Sequence, residues 1–374
     1  MLHQIQVFMH LSKNTLSFTF KLSFIILWLS TSIHVAVARP IESIMLNSCN
    51  ELLAIPEKST LHYQLNQDLD CTDHVIEKPK VFSGILDGQD YKISHLTLRV
   101  NQGVYAGLFS RIQGAIVKNL TFENIKWQTG ESLIQLGGLL AGEIKLSHVE
   151  HIRITQSHLS AGNATHYPFA QLGLGLLAGQ IDRSTLSHIQ LDDNQIITTS
   201  SSSAIGGLAG RAYRKTRINK VSINGLDIRV HIGLRVRQKH NLGGVLGYLG
   251  DASLLSNLYL THIHIDDAQN GDHAAGIGHL VGYLRPYAQV THAVLSENHY
   301  DFIPINNHKT AFIAGKSLLH SKISHICIVP SRPKSALKYG RGQTKHIQFD
   351  PSCAHKSIES SFRIDEENKF SFKS

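Results

Sequence analysis

The chain has 374 residues, room for one long domain or two ordinary ones. It is 42% hydrophobic and only 17% charged, so it can bury a large core and is not a mainly disordered chain. The net charge of +8 points to acidic partners, and 24 histidines would add to it below about pH 6.5.

The N-terminus reads as an export signal. Lys13 and Lys21 precede the apolar run Leu22 to Leu29, and Ala36-Val37-Ala38 forms a small-x-small cleavage pattern before Arg39-Pro40. Residues 1–38 are therefore expected to be a signal peptide, with Met9 as an alternative start. The apolar run is shorter than the roughly 20 residues of a spanning helix, and no later stretch is long and apolar enough. The mature protein is expected to lack a transmembrane segment. Its location would be the periplasm, the cell surface or the medium, and nucleic acid drops out of its expected partners.

All four cysteines follow this segment. Cys49 and Cys71 lie near the start of the mature chain, Cys327 and Cys353 near its end. An even count in an exported chain suggests disulfides, and three pairings are possible. Local pairing would close a short segment at each end; four reduced thiols are the alternative. There is no Cys-x-x-Cys spacing to suggest zinc.

From about residue 81 a glycine-centred phrase recurs. It runs from Ala106-Gly107-Leu108-Phe109 through Gly137-Gly138-Leu139-Leu140-Ala141-Gly142, Gly175-Leu176-Leu177-Ala178-Gly179 and Gly206-Gly207-Leu208-Ala209-Gly210. Further copies are Gly243-Gly244-Val245-Leu246-Gly247, Gly278-His279-Leu280-Val281-Gly282 and Phe312-Ile313-Ala314-Gly315. The copies are roughly 31 to 37 residues apart, the period of a stacked-repeat protein. A second phrase, apolar-x-x-apolar-x-apolar, trails the first, as in Leu186-Ser187-His188-Ile189-Gln190-Leu191 and Ile323-Ser324-His325-Ile326-Cys327-Ile328. Its two-residue step breaks a strand alternation, so it is read as a corner between strands.

No single repeat can bury its own apolar face, whereas stacked repeats share one core lined by Leu, Ile and Val. The expectation is an all-β parallel solenoid of about seven coils. Glycine would serve tight turns and close approaches, and Asn or His would sit in left-handed corners. Open ends need covering. Residues 39–80 are therefore expected to form an N-terminal cap, 81–326 the repeats, 327–355 a C-terminal closure and 356–374 a loosely ordered tail. Insertions are expected from Ser160 to Gln171 and from Thr198 to Ala204.

The opening Ser48-Cys49-Asn50-Glu51-Leu52-Leu53-Ala54-Ile55 resembles the start of bacterial secreted and surface proteins with GLUG repeats. The likeness continues through Tyr63-Gln64-Leu65-Asn66-Gln67-Asp68-Leu69-Asp70-Cys71 and Phe82-Ser83-Gly84-Ile85-Leu86-Asp87-Gly88, and covers about residues 45 to 330. The resemblance implies a right-handed parallel β-helix and pairing of Cys49 with Cys71. It implies a scaffold or binding surface and no particular reaction. The sequence departs from the family where His replaces a corner Asn, at His95, His148, His188, His292 and His325. A row of corner imidazoles would repel on protonation and loosen the stack, although backbone tolerance alone accounts for His at corners.

Three sets of residues invite a chemical reading. Arg211, Arg214, Lys215, Arg217, Lys220, Arg235, Arg237 and Lys239 form a basic segment whose Tyr213-to-Ile218 spacing suits sulfated glycans; a solvated face is the plainer reading. His262, His264, Asp266 and His273 are the densest metal-like group, with His262 and His264 expected on one strand face. Asp192-Asp193 and Asp266-Asp267 are paired acids, but neighbours on a strand point to opposite faces and do not make a catalytic dyad. No triad context, metalloprotease motif, phosphate loop or cofactor-binding motif is present. The expectation is a monomeric, non-enzymatic, adhesin-like protein without a cofactor. It would recognise an anionic glycan, a surface polysaccharide or a host protein. A carbohydrate-active enzyme or a structural spacer is the alternative.

Overall fold

The structure, a computed structural model, describes residues 42–100, 103–129, 136–162, 172–199, 203–231, 240–266, 274–301, 310–311, 313–318, 320–329, 343–348, 362–364 and 370–372. The chain divides into two units, residues 1–42 and 43–374. The signal segment, with its cleavage pattern at Ala38, lies outside the described residues.

Among the described residues the second unit is nearly all β, with one short helix, Cys49–Ala54. Among the same residues, three long sheets hold 18, 8 and 7 strands, all paired in parallel, and a separate two-stranded antiparallel piece lies near the C-terminus. The second and third sheets take one strand from each sequence repeat, whereas the first takes up to two, as with Ile116–Glu123 and Lys126–Thr129. In the first sheet Ile116–Glu123 pairs with His148–Thr155, which pairs with Thr185–Thr198, then Arg217–Val230, Leu254–Asp266, Gln289–Ser296 and Lys322–Val329. In the second sheet Phe109–Gln113, Ala141–Lys145, Ala178–Asp182, Ala209–Tyr213 and Leu246–Leu249 follow one another in the same way. The short third sheet contains Leu136–Gly137, Leu172–Leu174 and Ser203–Gly206.

The alternating pattern in each strand fixes which side chains turn inward. Val117, Val149, Leu186, Ile218 and Leu255 share one register position and are all fully buried. Phe122, Ile154, Leu191, Ile223 and Leu260 form a second buried row. Burying each such side chain contributes about 1.5–3 kcal/mol, so rows stacked on rows drive the assembly. The short strands within the expected cap, His62–Leu65, Leu69–Asp70 and Val75–Ile76, already pair in parallel with the strands that follow. Parallel pairing continues past residue 327 to Gln343–Gln348. In the expected loose tail, Phe362–Ile364 pairs antiparallel with Phe370–Phe372.

The two-residue step of the second phrase is a corner, as its sequence suggests. Asn119, His151, His188, Lys220, Asn257, His292 and His325 occupy equivalent positions, all with φ between 51° and 56°. The residues on either side stay in register across the repeats, so only the backbone direction changes there. One histidine is displaced from its expected place. His148 lies within a strand, in register with Ile116 and Thr185, and His151 takes the corner. The Ser147-His148 pair mimics Ser187-His188, but the apolar phrase of that repeat begins at Val149. His95 belongs to a different left-handed column, one strand further on, which it shares with Asn124, Gln156 and Asp193.

Two further devices tie the repeats together. A Cβ on Gly138 or Gly175 would overlap the backbone of Ala178 or Ala209 in the next repeat, which accounts for glycine in the first phrase. Buried hydroxyls and an amide satisfy backbone groups across repeats: Ala115 N–H donates to Ser147 Oγ (3.2 Å), Ser147 N–H to Ser184 Oγ (3.1 Å), and Ser157 N–H to Asn194 Oδ1 (2.9 Å). Buried donors without such partners are costly. At the start, Ser48 caps the short helix by accepting from Glu51 N–H. Cys49 on that helix is joined to Cys71 by a disulfide, with a Cα–Cα separation of 5.5 Å. Cys327 is also disulfide-bonded; Cys353 lies outside the described residues.

Candidate functional site

The outward rows of the first sheet form a polar groove with a cavity volume of about 490 Å³. Strand alternation builds it. Because Ile93, Phe122, Ile154 and Leu191 turn inward, the residues that flank them turn outward. Lys92, Thr121, Arg153, Gln190 and Ser222 are in register across five successive repeats. Glu123, Thr155, Asp192 and Asn224 form the next row. Adjacent strands lie about 4.8 Å apart, so the first row extends over roughly 19 Å.

Ion pairs crossing between repeats order the groove. Lys92 Nζ lies 2.8 Å from Glu123 Oε2. Arg153 reaches Asp192 Oδ2 with both Nε and Nη2 at 3.1 Å, and Gln190 Nε2 donates to the same oxygen at 2.8 Å. Among the described residues, no hydrogen bond goes to Asp192 Oδ1. Burial raises the Asp192 carboxyl above the ordinary aspartate range, and Arg153 and Gln190 only partly oppose it. Asp68 Oδ1 accepts from the Lys92 backbone N–H at 3.0 Å. The lining carries five carboxylates, Asp68, Asp90, Glu123, Asp192 and Asp193, against two cations, Lys92 and Arg153, and no aromatic side chain.

The basic segment does not gather on one face. Arg211 points outward from the second sheet, in register with Gln180 and Tyr248, and burial lowers its pKa. Arg214 sits at a corner, where its Nε lies 3.0 Å from fully buried Asp182 and its guanidinium covers the Tyr213 ring at 4.6 Å. Lys215 is exposed at the same corner. Arg217 is exposed on the first sheet, and Lys220 occupies the histidine-rich corner with Nζ 3.0 Å from His188 Nε2. These residues fall on two different sheets and at corners between strands, so linear spacing does not produce a stripe. Arg235, Arg237 and Lys239 lie outside the described residues.

The metal-like group separates for a related reason. His262 has φ 52° and forms a corner, which breaks the alternation expected to align it with His264. His262 pairs with Glu297, whereas His264 Nδ1 lies 3.0 Å from Asp227. Asp266 ends its strand, and His273 lies outside the described residues. Among the described residues, no three His, Cys, Asp or Glu side chains come together to hold a metal ion.

Of the groove residues, the sequence pointed only to the Asp192-Asp193 pair. Asp192 lines the groove from the strand and Asp193 from a left-handed corner with φ 52°. The signal that would have found the others is the column obtained by aligning repeats, which sets Lys92, Thr121, Arg153, Gln190 and Ser222 at one position.

No family model and no curated protein matches the sequence. Among solved structures, the chain is similar to a crystal structure from Bacteroides ovatus described as a putative immunoglobulin A1 protease. The TM-score is 0.57 at 12% identity, over 90% of this chain and 93% of that one. At that identity the likeness concerns the fold, an all-β arrangement with long parallel sheets.

Proposed function

We propose that this is an exported, GLUG-type right-handed parallel β-helix that binds an extended, uncharged polysaccharide in the polar groove. The carrying observation is the groove itself: in-register rows of hydroxyl, amide and charged side chains, repeated at the strand spacing, with no apolar residue in the lining. A polymer rich in hydroxyls can satisfy such rows at several successive repeats. Asp192 is suited to accept from sugar hydroxyls, because Arg153 and Gln190 hold one oxygen and leave Oδ1 to a ligand. Five carboxylates against two cations disfavour the anionic glycan expected from the overall charge of +8, and shift the reading to an uncharged chain. The signal-like N-terminus supports export, and the parallel pairing of successive repeats supports the helical solenoid.

Titration calorimetry with mannan, xylan, a soluble β-glucan and polygalacturonate tests this reading. Binding of a neutral polymer that persists in high salt and weakens about tenfold in Arg153→Ala is the expected result, the scale of one lost hydrogen bond to a charged group. Failure of every neutral polymer, or equal binding by the variant, would remove the groove from the account.

A second reading has one observation in its favour. Glu123 and Asp192 lie two strands apart in one row, roughly 9.6 Å by strand spacing, which approaches the separation of an inverting glycosidase pair. Asp192, raised by burial, would be the acid. Release of new reducing ends that stops in Asp192→Asn would favour hydrolysis over binding alone.

A further inference from the structure

We propose that the corner histidines form an acid-sensitive joint: protonation of the stacked pairs His151–His188 and His292–His325 loosens the packing between neighbouring repeats. This stands apart from the groove reading, since it concerns the cohesion of the repeats.

The geometry is that of rings stacked face to face. His151 and His188 have centroids 4.4 Å apart and planes 12° apart. His292 and His325 are 4.6 Å apart and 3° from parallel. The left-handed corner sets these residues side by side, each at φ 51° to 55° on strands already locked in register. Neutral imidazoles stack favourably, whereas two imidazolium ions at this distance repel.

Of the groups around His188, Lys220 reinforces this and Glu150 opposes it. His188 faces His151 and Glu150 on the strand before it and Lys220 on the strand after it. The Glu150 carboxylate is shared with His148, at 3.2 Å. Burial, then Lys220 and His151, push His188 down to about 4. His292 faces His325 on the following strand, with neutral Asn257 at the corner of the preceding one, and its Nδ1 lies 2.9 Å from Thr291 Oγ1. Burial and His325 lower it as well.

The sign follows from linkage. A histidine whose folded pKa is depressed binds its proton more readily in the unfolded chain, so stability is intact above the unfolded value of about 6.5 and falls as pH drops toward the folded value. For His188 that window is 6.5 to about 4. Other shifted groups do not mimic it. Asp70, Asp87 and Asp227 are lowered, so their contributions are lost at more acid pH. Asp192 is raised and acts in the opposite direction.

The column supplies its own control, since Asn119 and Asn257 occupy the same corner with φ 52° and 54°. Urea unfolding of the full chain is compared at pH 7.5 and 5.0 with the variant His151→Asn, His188→Asn, His292→Asn, His325→Asn. The midpoint of the natural protein is expected to fall on acidification, and that of the variant to fall less than half as far. Should the fourfold variant not fold, His292→Asn with His325→Asn reads the same difference on one pair. An equal fall in natural and variant proteins, or no fall in either, overturns the proposal.

Discussion

A single atom decides the identity of the residue at several positions. At Gly175 the nearest neighbours of an added Cβ are the N, Cα and C atoms of Ala209, backbone that belongs to the next repeat and is pinned by its own pairing. Gly175→Ala is expected to destabilise by about 1–3 kcal/mol, the scale of overpacking a filled core, and a thermal or urea melt would show it. At the corners the requirement is milder, because Asn, His and Lys all hold φ between 51° and 56° in one column. This explains what was legible. The corners could be located because a two-residue step interrupts an alternation, and the glycines because they recur. His148 and His151 were confused because a corner is defined by its distance from the apolar residues after it, and a dipeptide is a poor guide to that distance. Nor can a sequence show that Arg214 is committed to a buried Asp182 thirty-two residues earlier.

At the scale of elements, two consequences follow from how strands turn. The groove was largely illegible in the sequence because its residues are contributed one or two per repeat, and each looks like an ordinary exposed strand residue. The basic segment looked like a site because its residues are contiguous, yet those described fall on two different sheets and at corners between strands. Where strands pair in parallel and in register a site is a column, so Arg153 and Asp192, 39 positions apart, are better neighbours than Arg214 and Arg217. The opening element is a different case. The Cys49–Cys71 bond ties the short helix Cys49–Ala54 to the start of the parallel sheets, across a sequence separation of 22. A loop of that size is worth about 3 kcal/mol in chain entropy. Cys71→Ser is expected to lower the unfolding free energy from a urea titration by that order. It should also raise hydrogen exchange at Ser43–Leu46 and His62–Leu65 well before the strands near residue 220 are affected, because neighbouring repeats bear most of each other's stability.

At the largest scale, the described strands of the first sheet keep one register over repeats of slightly different length, and this has a consequence that separates register from composition. Thr185 pairs with Arg217, and Leu186 with Ile218, so residues 186–217 are one complete repeat between equivalent positions. Removing them joins Thr185 directly to Ile218, and every strand that follows keeps its inward and outward faces. The strand Ala178–Asp182 then leads into the following repeat as it did before, and the buried rows of Val149 and Ile152 meet Ile218 and Val221 in place of Leu186 and Ile189. Removing one residue fewer, 186–216, leaves the corner one position out of step, and a shift of one turns the apolar row of a strand toward solvent. The two shortened chains differ by a single residue and almost not at all in composition. The first is expected to keep the β-type circular dichroism of the parent per residue and a cooperative unfolding transition with a lower midpoint. The second is expected to lose cooperativity or aggregate. Equal behaviour of the two would mean that the repeats are not locked in register, and the equivalence of corner, core row and groove row from one repeat to the next would fail with it.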